Sequence, residues 1–401
     1  MTPRILFLVP ADYGELEKKG VAFMLAEKEE NGFFERVVTV HPTAGQNRVV
    51  DISPVQRLYE FREFFLPFGK KSKAFRYAHH LFHLLRLLWS ISGIVRREKI
   101  NLIRATDPQL PGLLAWFLSM FFNLPFCISL HADYDKRYDL DPLSVPTLFG
   151  SRAVAKRFEK FLFKKADLVM PIRVSLARKL EKSGVPAESL RVIPHGVNLS
   201  PFRKGPDPRI GTIRGVPEKA NVLSFVGRLT KENYVYDVLR LATELHRKRS
   251  DFVVVMAGDG PEREGMVRYI AEHGLGPVVV LAGFQPREAA INLRMKCVVS
   301  LCLMGGYSLI EACAAGRPVI AYDVEWHSEL VVHGRTGFLV PEGNLEKLLD
   351  CTESLLNDPA MADRFGSAAR ALAFERHDIE RTSEIKKACY RELLQRAPRN
   401  A

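Results

Sequence analysis

Between Met304 and Val331 the chain reads MGGYSLIEACAAGRPVIAYDVEWHSELV, a run dense in residues that can do chemistry. Gly305 and Gly306 remove the Cβ atoms that would hold a ligand away from the backbone. The helical pattern beginning at Tyr307 aims its first N–H groups and its positive dipole end at the same spot. This is the layout of a pocket for an anion, and a nucleotide diphosphate suits it. Glu311 has two readings. Ser308 and Glu311 spell S-x-x-E, a capping box in which each side chain satisfies the other's backbone N–H. The same carboxylate can instead accept hydrogen bonds from a ligand, and the local pattern alone favours the cap.

Three further glycine turns stand at strand ends: Val192-Ile-Pro-His-Gly-Val-Asn198, Phe225-Val-Gly-Arg-Leu229 and Met256-Ala-Gly-Asp-Gly-Pro-Glu262. Each alone is a weak signal, and their order and spacing carry the information. The elements that position them alternate along the chain. Short apolar runs at residues 5–9, 37–41, 101–105, 126–130, 168–171 and 191–194 predict one series of strands. A second series is predicted at 222–227, 252–257, 278–281, 297–301 and 319–322, with helical patterns between the strands of both. Strands alternating with helices predict an α/β fold of two Rossmann-like domains facing across a cleft. The domains expected are 1–200 and 201–377, joined through the Pro- and Gly-rich segment 201–208, with a C-terminal helix near 378–396 packing back on the first.

A length of 401 residues suits two such domains, and 47% hydrophobic with 26% charged residues is the composition of a globular protein. The six cysteines form no CxxC pair, which points to reduced, buried thiols and a cytoplasmic protein without a zinc site. The net charge of +12 is uneven, because residues 1–200 carry 30 basic against 20 acidic side chains. A basic half suits nucleic acid, an anionic membrane or an acidic substrate, and no nucleic-acid motif is present. The apolar run at 5–9 is too short for a signal peptide. The uncharged segment 108–130 is divided by Pro111, Asn123 and Pro125 into a helix and a strand. Residues 70–99 form a helical pattern with an apolar face and basic ends (Lys70, Lys71, Lys73 and Arg76, then Arg96, Arg97 and Lys99). It reads equally as a core helix and as a helix at an anionic membrane surface, peripheral at the inner face.

Taken together, VIPHGVN, FVGRL, MAGDGPE and the Glu311 segment resemble the retaining family 4 (group 1) glycosyltransferases of the GT-B fold, closely over residues 191–340 and more loosely elsewhere. The resemblance implies a hexosyltransferase-type enzyme that moves a sugar from a nucleotide-diphosphate donor to a lipid-linked or glycan acceptor with retention. No metal and no cofactor beyond the donor substrate are expected. Arg228 then meets the diphosphate, Glu311 the ribose hydroxyls, and Lys231, Gly305, Gly306 and Tyr307 complete the donor site. With the family in view, the ligand reading of Glu311 overtakes the cap. His131 is the expected catalytic residue, Asp133 its polar neighbour, and Asp12 and Gly14 a loop for acceptor or diphosphate. The departing phosphate takes the acceptor's proton, so no general-base carboxylate is required.

The chain departs from the family at three places. Where members carry Lys after the GRL arginine it has Asn233 and Tyr234, with Lys231 close by. Leu303 stands where a second glutamate is usual, and Glu325-Trp326, followed by His327, where many members have a glycine pair. Two other functions therefore stay open: a nucleotide-sugar-binding protein without turnover, and a GT-B epimerase that needs no second substrate. Asp133-Tyr-Asp135 and Asp139-Leu-Asp141 match a metal-binding D-x-D, although a solvated acidic loop fits two strand series better.

Overall fold

The computed structural model describes residues 2–18, 25, 28–63, 73–132, 151–207 and 220–396. The chain divides into two compact units, one made of Met1–Pro194 with Ser383–Ala401 and the other of His195–Thr382.

The first unit is built on seven strands: β1 (Arg4–Leu8), β2 (Arg36–Ala44), β3 (Arg48–Asp51), β4 (Gln56–Arg62), β5 (Leu102–Ala105), β6 (Phe126–Leu130) and β7 (Leu168–Pro171). Their order in the sheet is β3-β4-β2-β1-β5-β6-β7, parallel except for β3 against β4. The chain winds outward from β1 to β2, then returns to add β5, β6 and β7 on the other side. Helices α2 (Lys73–Arg97), α3 (Leu110–Phe122) and α4 (Arg152–Lys165) pack on one face, where Leu87, Ile91, Leu114, Leu118, Ala155 and Leu162 meet Leu6, Ile103 and Ile128. Helices are obligatory there, because a parallel sheet must bury both faces. On the opposite face the C-terminal helix Ile379–Gln395 sets Cys389, Tyr390 and Leu393 against Ile5, Phe7, Leu102 and Cys127. Polar ties reinforce that packing: the Tyr390 hydroxyl accepts from Arg104, and the buried Glu30 meets Lys386 at 2.5 Å and Ser383 at 2.8 Å.

The second unit has six strands, β8 (Asn221–Val226), β9 (Phe252–Ala257), β10 (Val279–Gly283), β11 (Val299–Leu301), β12 (Val319–Tyr322) and β13 (Gly337–Val340). They are all parallel, in the order β10-β9-β8-β11-β12-β13. Winding reverses between β8 and β11, and it is outside the carboxyl ends of the strands at such a switch point that open α/β sheets bind ligands. Val238, Leu241 and Leu355 close one face of this sheet, while Ile291, Leu309, Ile310 and Ala369 close the other.

Two expected elements differ. Residues 191–194 run beside β7 and donate from Arg191 and Ile193 to its carbonyls at 3.0 and 2.9 Å, yet they form no strand. A single bridge at Leu190 is their only ladder contact, and Pro194 has no N–H to continue one. The hairpin β3–β4 was not expected, since β3 is an edge strand of four residues carrying Arg48 and Asp51. The uncharged segment 108–130 does divide as read. A helix of 13 residues spans about 20 Å, short of a bilayer core, and Asn123 ends it in the left-handed conformation. Among the described residues no helix is long and apolar enough to cross a membrane. The helix predicted at 70–99 is described from Lys73, and Lys70 and Lys71 lie outside the described residues.

Candidate active site

The carboxyl end of β8 passes into Gly227, Arg228 and Leu229, and the next strand's loop is laced to it. Gly227 N–H donates to Ala257 O and Leu229 N–H to Asp259 O, both at 3.0 Å. So close an approach needs glycine. Gly258 has φ +151°, and a Cβ there would stand 1.8 Å from Gly227 O. Gly258 N–H donates in turn to Gly283 O at 2.8 Å, so the loops after β8, β9 and β10 form one rigid edge. Arg228 is exposed on that edge. Asn233, at the family's lysine position, donates from its side-chain amide to Arg228 O at 2.8 Å and so fixes the turn that carries the arginine. Lys231 is exposed in the short turn Lys231–Asn233. The carboxyl of Glu232, beside them, lies below its usual range because backbone N–H and Thr230 hydrogen bonds, then Arg228 and Lys231, favour its charged form.

Across the switch point, β11 leads into Gly305 and Gly306 and the helix α10 (Tyr307–Ala314). Gly305 is wedged, since a Cβ on it would meet Cys302 Sγ at 2.6 Å, whereas a Cβ on Gly306 would project into open space. Below the pair lies the buried imidazole of His327. Its Nδ1 donates to Tyr322 O at 2.9 Å, leaving Nε2 to accept from Gly305 N–H at 3.3 Å. Glu325, two residues earlier, has φ +51°, the left-handed region that glycine adopts most easily.

The capping box does not form. Gly306 is the N-cap of α10, and no side chain caps the helix. Ser308 lies inside the first turn, where its hydroxyl donates to Val226 O at 2.7 Å and accepts from Arg294 Nη2 at 2.8 Å. Glu311 turns away from the helix start toward two arginines, with Oε1 at 3.2 Å from Arg287 and Oε2 at 3.9 Å from Arg294. Arg294 is only 2% exposed, so Glu311 supplies the countercharge to a buried guanidinium. Phe284, at the end of β10, is 81% exposed on the same edge. An uncapped helix start, an exposed arginine, a bare glycine and a carboxylate with free faces can together hold a diphosphate and a vicinal diol.

In the first unit the expected residues that are described follow β1 and β6. His131 is exposed just past the carboxyl end of β6. Asp133, like Asp135, Asp139 and Asp141, lies outside the described residues. Asp12 is a local clasp: Oδ2 accepts from Gly45 N–H at 2.7 Å and Oδ1 from Glu15 N–H at 3.2 Å. Those bonds hold its carboxyl below the usual range, the Gly45 bond first. Gly14, read from sequence as a loop residue, lies instead in the short helix Tyr13–Lys18 that follows Asp12, where a Cβ would stand 3.2 Å from Asp12 Oδ1. Glu60 anchors the start of that helix, accepting from Tyr13 N–H at 2.7 Å and Arg48 Nε at 2.5 Å and meeting His41 Nδ1 at 3.0 Å.

The family described as "Glycosyl transferases group 1" matches residues 209–372, and the "Glycosyl transferase 4-like domain" matches residues 31–196. The chain belongs to the group 1 glycosyltransferases. It is 27% identical over 290 residues to the alpha-D-kanosaminyltransferase of Streptomyces kanamyceticus, covering 69% of this chain and 73% of that one. It is 25% identical over 303 residues to the alpha-maltose-1-phosphate synthase of Mycolicibacterium smegmatis, covering 68% and 76%. Among solved structures it resembles the sucrose-phosphate synthase of Thermosynechococcus elongatus, with a TM-score of 0.68 at 19% identity over 97% of this chain and 99% of that one. It resembles equally Anabaena HepE in complex with UDP, with a TM-score of 0.68 at 18% identity over 97% and 100%. These neighbours establish the GT-B fold, two Rossmann-like domains.

In this glycosyltransferase the residues expected from sequence in the second unit, Arg228, Lys231, Gly305, Gly306, Tyr307 and Glu311, all stand around the carboxyl ends of β8 and β11. Arg287, Arg294, Phe284 and His327 join them without having been expected there. A signal was present for Arg287, which opens a helix directly after a strand and a glycine turn. Arg294 gave none, because an arginine in a helical pattern reads as solvated. Leu303, where a second glutamate is usual, is wholly buried among core side chains.

Proposed function

We propose that this glycosyltransferase takes a nucleoside-diphosphate sugar as donor and transfers the sugar to a hydroxyl of a lipid-linked or glycan acceptor. Transfer proceeds with retention and without a metal ion, and the enzyme works in the cytoplasm as a peripheral protein at an anionic membrane face. The observation that carries the reading is the convergence, at the second unit's switch point, of Arg228, Gly306, the uncapped start of α10 and Glu311. The structural neighbour HepE, solved in complex with UDP and with UDP-glucose, supports a uridine nucleotide as the first donor to try.

On this reading the diphosphate lies over Gly305 and Gly306, with Arg228 and Lys231 as its cations and Tyr307 beside it. The ribose hydroxyls donate to Glu311, whose carboxylate Arg287 and Arg294 hold in place, and the base lies against the Phe284 ring. As the bond from C1 to the phosphate oxygen breaks, charge gathers on the departing diphosphate. Arg228 and the helix start bind that charge more strongly in the transition state than in the ground state. The acceptor oxygen forms the new bond to C1, and its proton passes to the departing phosphate. In the first unit His131 and Asp133 are the residues assigned to the sugar on this reading, and Asp12 and Gly14 those assigned to acceptor or diphosphate.

The test is incubation with a panel of nucleotide sugars and lipid or glycan acceptors, following nucleoside diphosphate release and the anomeric configuration of the product by NMR. An α donor should give an α product. An inverted product excludes retention, and consumption of the donor to an epimer without diphosphate release excludes transfer.

A further inference from the structure

Helices α2, α3 and α4 lie side by side on one face of the first unit's sheet, with aromatic side chains between them. Trp116 meets Phe117 at 4.8 Å and Phe161 edge-on at 5.0 Å, and Arg96 of α2 lies over the Phe122 ring of α3 at 5.3 Å. Sheet-side packing is complete with Leu87, Ile91, Ile94, Leu114 and Leu118, all buried. The outer side is nevertheless apolar. Leu81, Phe82, Leu85 and Trp89 of α2 are 57, 51, 56 and 81% exposed, and Met120 and Phe121 of α3 are 56 and 65% exposed. Positions 81, 85 and 89 recur every fourth residue, so they form one stripe along the helix. A stripe of large apolar side chains along one helix, with Met120 and Phe121 also exposed on the neighbouring helix, is an interaction surface rather than scattered exposure.

Charge identifies the occupant. Helix α2 contains five basic residues and no acidic one, α3 has no charged residue, and α4 contains six basic residues. The one carboxylate on these helices, Glu159, is buried. A second copy of the chain meeting this face through a twofold axis would set cations against cations. An anionic bilayer satisfies both features at once, because apolar side chains enter the acyl boundary while lysine and arginine reach the phosphates. Tryptophan favours the same interface, where an apolar ring ends in one polar N–H.

We propose that this three-helix face docks the chain on an anionic lipid bilayer, with the ridge around Trp89 inserted below the phosphates and the cations of α2 and α4 at their level. The proposal specifies how the peripheral attachment named above is made. It is independent of the donor site, so nucleotide binding and lipid binding can fail separately.

The full chain is mixed with phosphatidylcholine vesicles and with vesicles that also contain phosphatidylglycerol, and followed by sedimentation and tryptophan emission. Binding should require the anionic lipid, and the emission should shift to the blue and be quenched by lipids brominated on their acyl chains. Trp89→Ser should remove the shift, and Trp89→Ser with Leu85→Ser should weaken partitioning by about tenfold or more. Lys160→Glu with Lys164→Glu should also weaken it, with an effect that shrinks at high salt. All four positions are exposed, so melting temperature and nucleotide affinity should stay at the wild-type level. The proposal is overturned if anionic vesicles are not bound. It is overturned equally if binding survives Trp89→Ser with Leu85→Ser, or if the wild type self-associates through this ridge and those substitutions abolish the association.

Discussion

Arg287 and Glu311 are paired at 3.2 Å, Nη2 to Oε1, between two neighbouring helices that begin at the same edge of the second sheet. The exposed Arg287 orients a carboxylate whose other oxygen faces Arg294, a guanidinium almost wholly removed from water. Glu311 thus serves the fold and the proposed ligand together, through its charge and not through a helix cap.

That arrangement predicts two different outcomes. Glu311→Gln leaves Arg294 without its countercharge and should lower stability by roughly 1–3 kcal/mol while weakening nucleotide binding. Arg287→Ala removes only a solvent-exposed partner and should change stability by less than about 0.5 kcal/mol. Urea unfolding of the two variants measures both, and wild-type stability in Glu311→Gln would separate Glu311 from Arg294.

The adjacent glycines should respond unequally to the same substitution. Gly305→Ala forces a Cβ against Cys302 Sγ and the Leu309 backbone and should cost about 1–3 kcal/mol, the range for overpacking. Gly306→Ala has open space and should fold normally, yet it places a methyl group where the diphosphate would lie. The expected pattern is a lowered melting temperature for the first and normal melting with poor nucleotide affinity for the second. Thermal melts with and without nucleotide distinguish them.

Much of this was legible in sequence. Strands made of continuous apolar residues, such as those ending at Leu8 in the first unit and Ala257 in the second, announced two parallel sheets, and glycines marked strand ends of the second. Neutral-looking local patterns hid the rest. Ser308 and Glu311 satisfy the capping pattern, but Val226 O, 82 positions from Ser308, captures the hydroxyl. Arg48 and Asp51 kept β3 out of the predicted strands, because an edge strand needs little apolar surface. Arg294 is buried by β8 and α10, elements distant in the chain, so no local pattern announces it.

Stability should fall in mild acid. Burial holds the His377 imidazole down to about 4, outweighing its hydrogen bond to His195 O, so the ring is neutral in the folded state. Unfolded, it takes up a proton near pH 6.5. Between pH 6.5 and 4 the unfolded chain therefore binds more protons, and stability drops as pH falls through that window, by on the order of 3 kcal/mol for this one group. His377→Leu should flatten the pH dependence of the urea midpoint there, and an unchanged slope would mean that His377 titrates normally.

Transfer should survive EDTA. The proposed diphosphate charge is met by Arg228, Lys231 and the start of α10, so the reading assigns no charge to a metal ion. Activity that disappears with chelator and returns with a divalent cation would transfer that role to the acidic segment containing Asp133, Asp135, Asp139 and Asp141.

The most direct measurement is calorimetric titration of nucleoside diphosphates, UDP first, into the wild type and Arg228→Ala. Arg228 is exposed at the carboxyl end of β8, so its loss should leave the fold intact. At least one nucleoside diphosphate should bind the wild type, and Arg228→Ala should weaken it by about 1.5–3 kcal/mol, the range for hydrogen bonds to charged groups. A wild type that binds none of the nucleotides, or a variant that binds them as well as the wild type, would contradict a donor site at the switch point.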